Sequence, residues 1–324
     1  MIIKYNPELE RLWDNFVACS INGNFQESRC FLNYHKDRFK DHSLLFYKNN
    51  ELVAVMPCNE MDNGNSLISH SGATFGGLIF ADKYATITSY KWILDELEEY
   101  IKDKQFKHLE LKMPSWLYMR SDKHIEVLDY LLGLRGFSCG EEVGFYLNCL
   151  TLDNNYEQHY AKLKKRKLKR AIKENLTFRK LVTNFEIEKF YSILEENYTK
   201  FKTTPVHSYE ELILLKESCI PNILSFYGVF SGAEMIAGSM VFDFNNKKVF
   251  HTQYLASRFE YLELCPNEFL YTKLIATARD EGFRFLSFGT STLQHGTVFN
   301  EDLALFKEGF NTETYINRTY KKNY

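Results

Sequence analysis

Lys307 stands in the run Leu305-Phe306-Lys307-Glu308-Gly309-Phe310. An ammonium among aromatic and aliphatic side chains needs a reason to be there. Fixed beside a developing negative charge where water is excluded, it stabilises that charge far more than it could in solution. A lysine whose stem covers apolar neighbours while its head reaches water is the rival reading. His251 and Glu268 carry groups able to exchange a proton with a reacting centre. His70 sits at the bend Ser69-His70-Ser71-Gly72-Ala73-Thr74-Phe75-Gly76-Gly77. Glycines this close together, Gly77 the last of them, let the backbone turn sharply or approach a ligand. The bend lacks the Gly-Lys-Ser/Thr ending of a P-loop. Segment 29–38 is dense in binding groups, and its Arg29, Lys36 and Arg38 suit a nucleotide diphosphate; a solvated helix face with ion pairs is the alternative. The strongest charge feature is 162–173, KLKKRKLKRAIK, with eight basic residues in twelve. Arg166, Arg170 and Lys173 fall about one helical turn apart and form a stripe able to bind phosphates, while Leu168, Ala171 and Ile172 cluster opposite as an anchor. A plain solvated charged face remains the competing explanation. No metal-ligand constellation stands out, and no Ser-His-Asp set can be assigned.

Composition narrows the class. The chain has 324 residues, is 45% apolar and 25% charged, and carries a formal net charge of −2. That length and apolar content favour two domains with sizeable cores. Near-neutral charge makes the basic run a local feature, whereas a protein built as a whole to bind nucleic acid is usually basic throughout. The seven cysteines are scattered, with no Cys-x-x-Cys pair, which points to reduced thiols in a cytoplasm and away from a zinc site or disulfide framework. The first residues lack the apolar core of a signal peptide, and no run of 18 apolar residues suggests a membrane span.

The elements that must position these groups follow from period and punctuation. Asn6-Pro7-Glu8 opens a helix with Leu9, Leu12, Trp13, Phe16 and Val17 on one face. Strands are expected at 44–47, 52–57 and 67–71, a helix at 88–104, a strand at 106–113, a helix at 125–134 and a strand at 144–150. After the basic run come a strand at 176–182, helices at 185–199 and 209–217, a hairpin at 223–230 and 235–244, and a strand at 249–256. A helix at 266–280 ends at Gly282, followed by a strand at 283–288, a short helix at 303–307 and a strand at 312–319.

The two halves answer to one another. Trp92 pairs with Phe269 and Phe106 with Phe283, an offset of 177 in both cases (269 − 92 and 283 − 106). An offset shared by a helix and the strand after it indicates duplication. The expected architecture is α+β, two tandem domains at 1–152 and 153–324, each a mixed, mostly antiparallel sheet flanked by helices.

This element order resembles the Gcn5-related N-acetyltransferase (GNAT) fold present twice. The chain is similar to the twin-domain branch that contains the FemABX peptidyltransferases and related bacterial acyltransferases. The second half carries the resemblance: KLKKRKLKRAIKENL, Pro205-Val206-His207, GAEMIAGSMVF, HTQYLAS, Pro266-Asn267-Glu268, GFRFLSFGTS, and the segment around Lys307. FLNYHKDRFKDHS and SHSGATFGG look like a sub-branch associated with surface-polysaccharide genes.

The resemblance implies acyl transfer to an amine, from acyl-CoA or from an aminoacyl-tRNA, with no metal. The implied acceptor is a small molecule or a nucleotide- or lipid-linked precursor of the cell envelope, such as an amino sugar or a peptidoglycan peptide, and the implied setting is the bacterial cytoplasm. Lys307 matches a lysine of the family that serves the oxyanion or leaving group. Tyr254 matches a substrate-contacting tyrosine, and His207 and Tyr209 fall where the family helps grip its substrate. One departure matters. Ordinary GNAT members cradle the coenzyme A pyrophosphate in a glycine loop before the long helix. Here that place is Ser257-Arg258-Phe259-Glu260-Tyr261-Leu262-Glu263-Leu264-Cys265-Pro266, without glycine. Weight therefore shifts toward an aminoacyl-tRNA donor or a coenzyme A held differently. A non-catalytic module binding tRNA or a nucleotide sugar is the alternative function.

Overall fold

Alternation in His108-Leu109-Glu110-Leu111-Lys112-Met113 buries every second side chain of a strand. The computed structural model describes residues 1–35, 38–200 and 202–324. The chain divides into two units. Unit one comprises Met1–Glu142, Gln294–Val298 and Ile316–Tyr324; unit two comprises Val143–Leu293 and Phe299–Tyr315.

In chain order, unit one contributes β1 (Ile2–Lys4), α1 (Glu10–Cys19), α2 (Arg29–Asn33), β2 (Lys40–Asp41), β3 (Leu44–Lys48), β4 (Glu51–Met56), β5 (Cys58–Met61), β6 (Ser66–Ser69), β7 (Ile79–Phe80), α3 (Ile87–Asp103), β8 (His108–Met113) and α4 (Ile125–Leu134). Strand β9 (Ser138–Asn148) runs into unit two. There follow α5 (Lys162–Lys173), β10 (Thr177–Leu181), α6 (Asn184–Lys200), α7 (Tyr209–Leu214), β11 (Leu224–Ser231), β12 (Glu234–Phe244), β13 (Val249–Ser257), α8 (Pro266–Asp280), β14 (Phe285–Thr290), the short β15 (Thr292–Leu293) and β16 (Val298–Phe299), α9 (Glu301–Glu308) and β17 (Glu313–Asn323).

In unit one, β1, β3, β4 and β7 form one sheet, and β2, β5, β6 and β8 are neighbours in another. The latter takes the second half of β17, whose Arg318–Asn323 pair antiparallel with β8. Helix α3 starts at Thr86, whose side chain accepts from Ser89 N, and buries Ile93, Leu94, Leu97 and Ile101. They join Leu44, Phe46, Val53, Leu67, Leu109 and Leu111 in the core. Each such side chain contributes roughly 1.5–3 kcal/mol on burial.

In unit two the order is β10, β11, β12, β13, β14 and then the end of β9. Helix α8 has proline in its first turn, where a missing N–H is harmless. It buries Phe269, Leu270, Leu274 and Ile275 against Ile236, Val241, Phe250 and Leu286.

The duplication is visible in the pairing. In each unit a helix joins two parallel strands that share three ladder positions: β6 with β8 (Ser66–Ile68 against His108–Glu110) and β13 with β14 (Val249–His251 against Phe285–Ser287). The sheets are otherwise mostly antiparallel, as the alternating patterns and hairpins predict.

Several expectations need correction. Arg29 is not an outward ligand group. It is buried, with its guanidinium 3.7 Å from the Tyr5 ring centroid, and it bonds Asn33, Ser43 and Asp41. Stacking and three oxygen partners occupy the cation, so it knits α2 to β2. Ile172 is 55% exposed and does not anchor the basic helix; buried Lys164, Leu168 and Ala171 do. The helix from Tyr209 widens after Leu214 into a π-turn, Leu215–Cys219. Strand β9 begins at Ser138, earlier than the glycine-led pattern indicated.

Glu27 offers a stability test. It closes a capping box with Asn24, accepting the Asn24 N–H at 2.6 Å, and is buried. Burial pushes its carboxyl up to about 8. A raised folded-state value means that its contribution is complete below the unfolded carboxyl range and is lost as pH climbs through 8. Glu27→Gln is expected to flatten the decline in stability between pH 5 and 8 by an amount on the order of a few kcal/mol. Urea unfolding at several pH values reads this, and parallel pH curves for the two proteins would refute it.

Candidate functional site

Lys307 and His251 meet where β13 and β14 part. Their ladder ends at His251 opposite Ser287, yet β13 continues to Ser257 and β14 to Thr290. Two local features open this fork. Gly289 has φ +71°, a conformation that a side chain disfavours, and the β14–β9 register slips between Ser287 and Gly289. On β13, Met240 faces Tyr254 and Val241 faces Thr252, so Gln253 is a bulge residue with no partner in that ladder.

Lys307 reaches the fork from α9. It is buried, and its Nζ donates to the carbonyls of Gly289 at 3.0 Å and Thr290 at 2.6 Å. Among the described residues no carboxylate pairs with it. An ammonium has three N–H donors, so two are engaged and one remains. Burial pulls its pKa down to about 7.

His251 flanks the same glycine: a Cβ on Gly289 would lie 3.8 Å from its Cε1. Its Nδ1 is 3.1 Å from Ser287 Oγ, which is 3.2 Å from Tyr315 OH, and its Nε2 is 3.3 Å from Gln253 Oε1. Burial, reinforced by the Lys307 charge, draws its pKa down to about 4, so the imidazole is neutral at pH 7. Tyr315 lies over bare Gly144, where a Cβ would come within 2.1 Å of the ring. Ser287, Tyr315 and Gln253 carry no local sequence signal, because their juxtaposition depends on strand register and on a distant glycine.

Tyr254 and His207 come together. The phenol lies 2.8 Å from His207 Nδ1, both side chains are buried, and burial pushes the tyrosine pKa upward. Tyr191 OH donates to the His207 carbonyl at 3.1 Å. Tyr209 sits half-buried on α7, with its hydroxyl donating to the Asn184 carbonyl and its ring 6.0 Å from that of Tyr191.

Glu268 is placed differently. It is buried in the first turn of α8, and one of its oxygens accepts from both Lys164 (3.0 Å) and Lys167 (3.1 Å). Both ammonium groups converge on one carboxylate oxygen, so the side chain ties α5 to the first turn of α8. Arg166, Lys167 and Arg170 share a concavity of about 440 Å³ with Leu262, Glu263 and Cys265 at the start of α8. The segment before α8 is a 3-10 helix, Phe259–Leu264, followed by Cys265 at φ +59°. Lys162, Arg166 and Lys169 line a second, open concavity of about 820 Å³ with Leu163 and Lys165.

In unit one, His70 is buried at the glycine bend and stacks on His35, with ring centroids 5.8 Å apart. Its Nδ1 accepts the Gly72 N–H at 3.2 Å, and burial draws its pKa down to about 4. Gly72 itself gives way to the His35 ring, which would lie 1.9 Å from a Cβ there. Gly77 N–H donates to the Lys112 carbonyl at 3.1 Å, and a Cβ would strike Met113 Sδ at 2.1 Å. The close approach expected of these glycines is thus to the protein's own side chains. Arg38 is exposed, with its N–H donating to the His35 carbonyl. Lys36 lies outside the described residues.

FemX superposes with TM-score 0.66 at 11% identity, covering 100% of this chain and 97% of FemX. A tandem GNAT protein from the clavulanic acid biosynthesis pathway superposes with TM-score 0.55 at 8% identity, over 100% and 98% of the two chains. The chain carries the twin Gcn5-related fold. A C-terminal domain described as that of a lysylphosphatidylglycerol synthetase from Agrobacterium fabrum also superposes, with TM-score 0.62, 10% identity, and 98% and 92% coverage. No family model matches the sequence, and no curated protein does. At these identities the likeness is one of fold, and the GNAT framework passes to this chain without its substrates. Among the described residues no group of His, Cys, Asp and Glu is placed to hold a metal, and no helix is long and apolar enough to cross a membrane.

Proposed function

We propose that the protein transfers an aminoacyl group from aminoacyl-tRNA to an amine of a cell-envelope precursor. The observation that carries this reading is Lys307, a buried ammonium with no carboxylate partner among the described residues, hooked to the carbonyls at the mouth of the fork. Its remaining N–H suits the oxyanion formed when an amine attacks an ester carbonyl. In that step the C–N bond forms, the carbonyl oxygen takes up negative charge, the C–O bond to the tRNA ribose breaks, and the ribose oxygen leaves with a proton originating on the amine. The neutral His251 imidazole is suited to accept or relay the amine proton. Tyr254, His207 and Tyr209 position the reacting groups.

The donor assignment draws on α5. Lys162, Arg166, Lys169 and Lys173 are exposed at steps of four, three and four residues. At 1.5 Å per residue they spread charge over roughly 16 Å. A polynucleotide backbone offers phosphates over that length, whereas coenzyme A concentrates its phosphates. Arg166 and Arg170, with bare amides at the start of α8, suit the phosphate nearest the ester. The acceptor is of the class that the resemblance implies, a nucleotide- or lipid-linked precursor carrying a free amine. FemX and the lysylphosphatidylglycerol synthetase domain support an aminoacyl donor by fold. A donor of this kind places the reaction in the cytoplasm.

The test is a transfer assay pairing charged tRNA or acyl-CoA with amino-sugar and peptide-stem acceptors, read by product mass. Product from charged tRNA alone is expected. Product from acyl-CoA alone reassigns the donor. Absence of product from both, with tRNA binding retained, favours a non-catalytic polyanion-binding module.

A further inference from the structure

Lys164 is the odd member of the basic helix. The other seven cations of α5 reach solvent fully or in part, while Lys164 turns inward and is buried. Its Nζ donates to Glu268 and stands 3.3 Å from the Phe306 ring centroid and 4.8 Å from that of Phe310. Gly309 admits it, since a Cβ there would approach its Cγ to 2.8 Å and its Cε to 2.9 Å. Ala161 N–H donates to the Gly309 carbonyl at 2.9 Å, tying the entry to α5 to the end of α9. One ammonium thus touches the first turn of α8 and the ring that immediately precedes Lys307.

Burying an ammonium is costly, and an apolar side chain of similar length would fill this space without that cost. What the charge adds is direction: a cation is held over a ring face and at a carboxylate oxygen at once, which packing alone does not specify. Helix α9 has eight residues, too few to hold its own orientation. Lys307 hooks one side of it to β14, and Lys164 presses on the other through Phe306.

We propose that Lys164 is a positioning residue that locks α9 against α5 and α8 and thereby holds the Lys307 ammonium at the fork. This deepens the transfer reading and rests on it for its meaning, but the first measurement is independent of turnover. In the full chain, without donor or acceptor, the pH at which Lys307 half-reacts with a small amine-modifying reagent is read by mass spectrometry. In Lys164→Met, Lys307 should leave its carbonyls and meet water, moving that midpoint up by about one pH unit or more toward an ordinary lysine. Gly309→Ala, which pushes the Lys164 stem without removing charge, should move it the same way by less. A folded Lys164→Met protein with an unchanged midpoint overturns the proposal and makes Lys164 a packing residue. Should that variant not fold, Gly309→Ala and Phe306→Leu decide the matter by the same readout. Failure here leaves the transfer reading intact, because that reading stands or falls on product formation. Once turnover is measured, Lys164→Met is expected to lower kcat by about ten-fold or more with donor KM within about two-fold. A loss confined to donor KM would move Lys164 to donor binding and also overturn the proposal.

Discussion

Lys307→Ala is expected to lower the rate of transfer by about 10²–10³-fold, the usual cost of removing one preorganised donor from a developing oxyanion. Donor affinity should change little, because the lost contact belongs to the transition state. Substitution also removes the ammonium that pins Gly289 and Thr290, so part of the loss comes from a looser fork. The pH profile separates the two contributions. Burial draws the Lys307 pKa down to about 7, and the working form in this scheme is the protonated one. The rate should therefore fall as pH rises through about 7, while Lys307→Arg, charged throughout, should lose that limb whatever its absolute rate. A rate that instead climbs through the same region would mean that the neutral amine acts as a base.

Neutralising Lys162, Arg166 and Lys169 together is expected to weaken tRNA binding and flatten its salt dependence. Among the described residues none of the three pairs with a carboxylate, so their charge is available to a ligand. Each lost phosphate contact reduces the slope of log affinity against log salt by about 0.7–0.9, so the triple variant should lose about two to three units of slope. Filter binding or fluorescence titration between low and moderate salt measures it. An unchanged slope would remove α5 from the polyanion surface. Lys165, whose ammonium donates to the Gln158 carbonyl at 3.1 Å, makes an internal control expected to change the slope least.

Much of the fold was legible because its signals are local. The period of 125–134 gave α4 to the residue, and Pro266 with Gly282 bracketed α8, since proline and glycine act on their own backbone. The equal offset between the halves exposed the duplication, because copies keep the spacing between a helix and the strand that follows it. What stayed hidden was register. Nothing near Gln253 announces a bulge, and Tyr315 meets Ser287 only because Gly144 leaves room for its ring. Charge misled for a related reason. A lysine inside a basic run looks solvated, yet Lys164 is buried because a carboxylate and two rings lie beneath it, more than a hundred residues further along the chain. Arg29 shows the same effect in unit one. The sequence names a cation, and only the fold says whether it faces a ligand or a neighbour.

The division of β17 bears on how the molecule comes to be made. Residues 1–142 leave the ribosome early, yet the edge of β8 opposite β6 stays unpaired until Arg318–Asn323 arrive. The half translated first is therefore the half completed last, and it must wait with an open strand edge through the synthesis of nearly all of unit two. Residues 1–142 produced alone should self-associate through that edge, and a peptide spanning 316–324 supplied in trans should suppress the association.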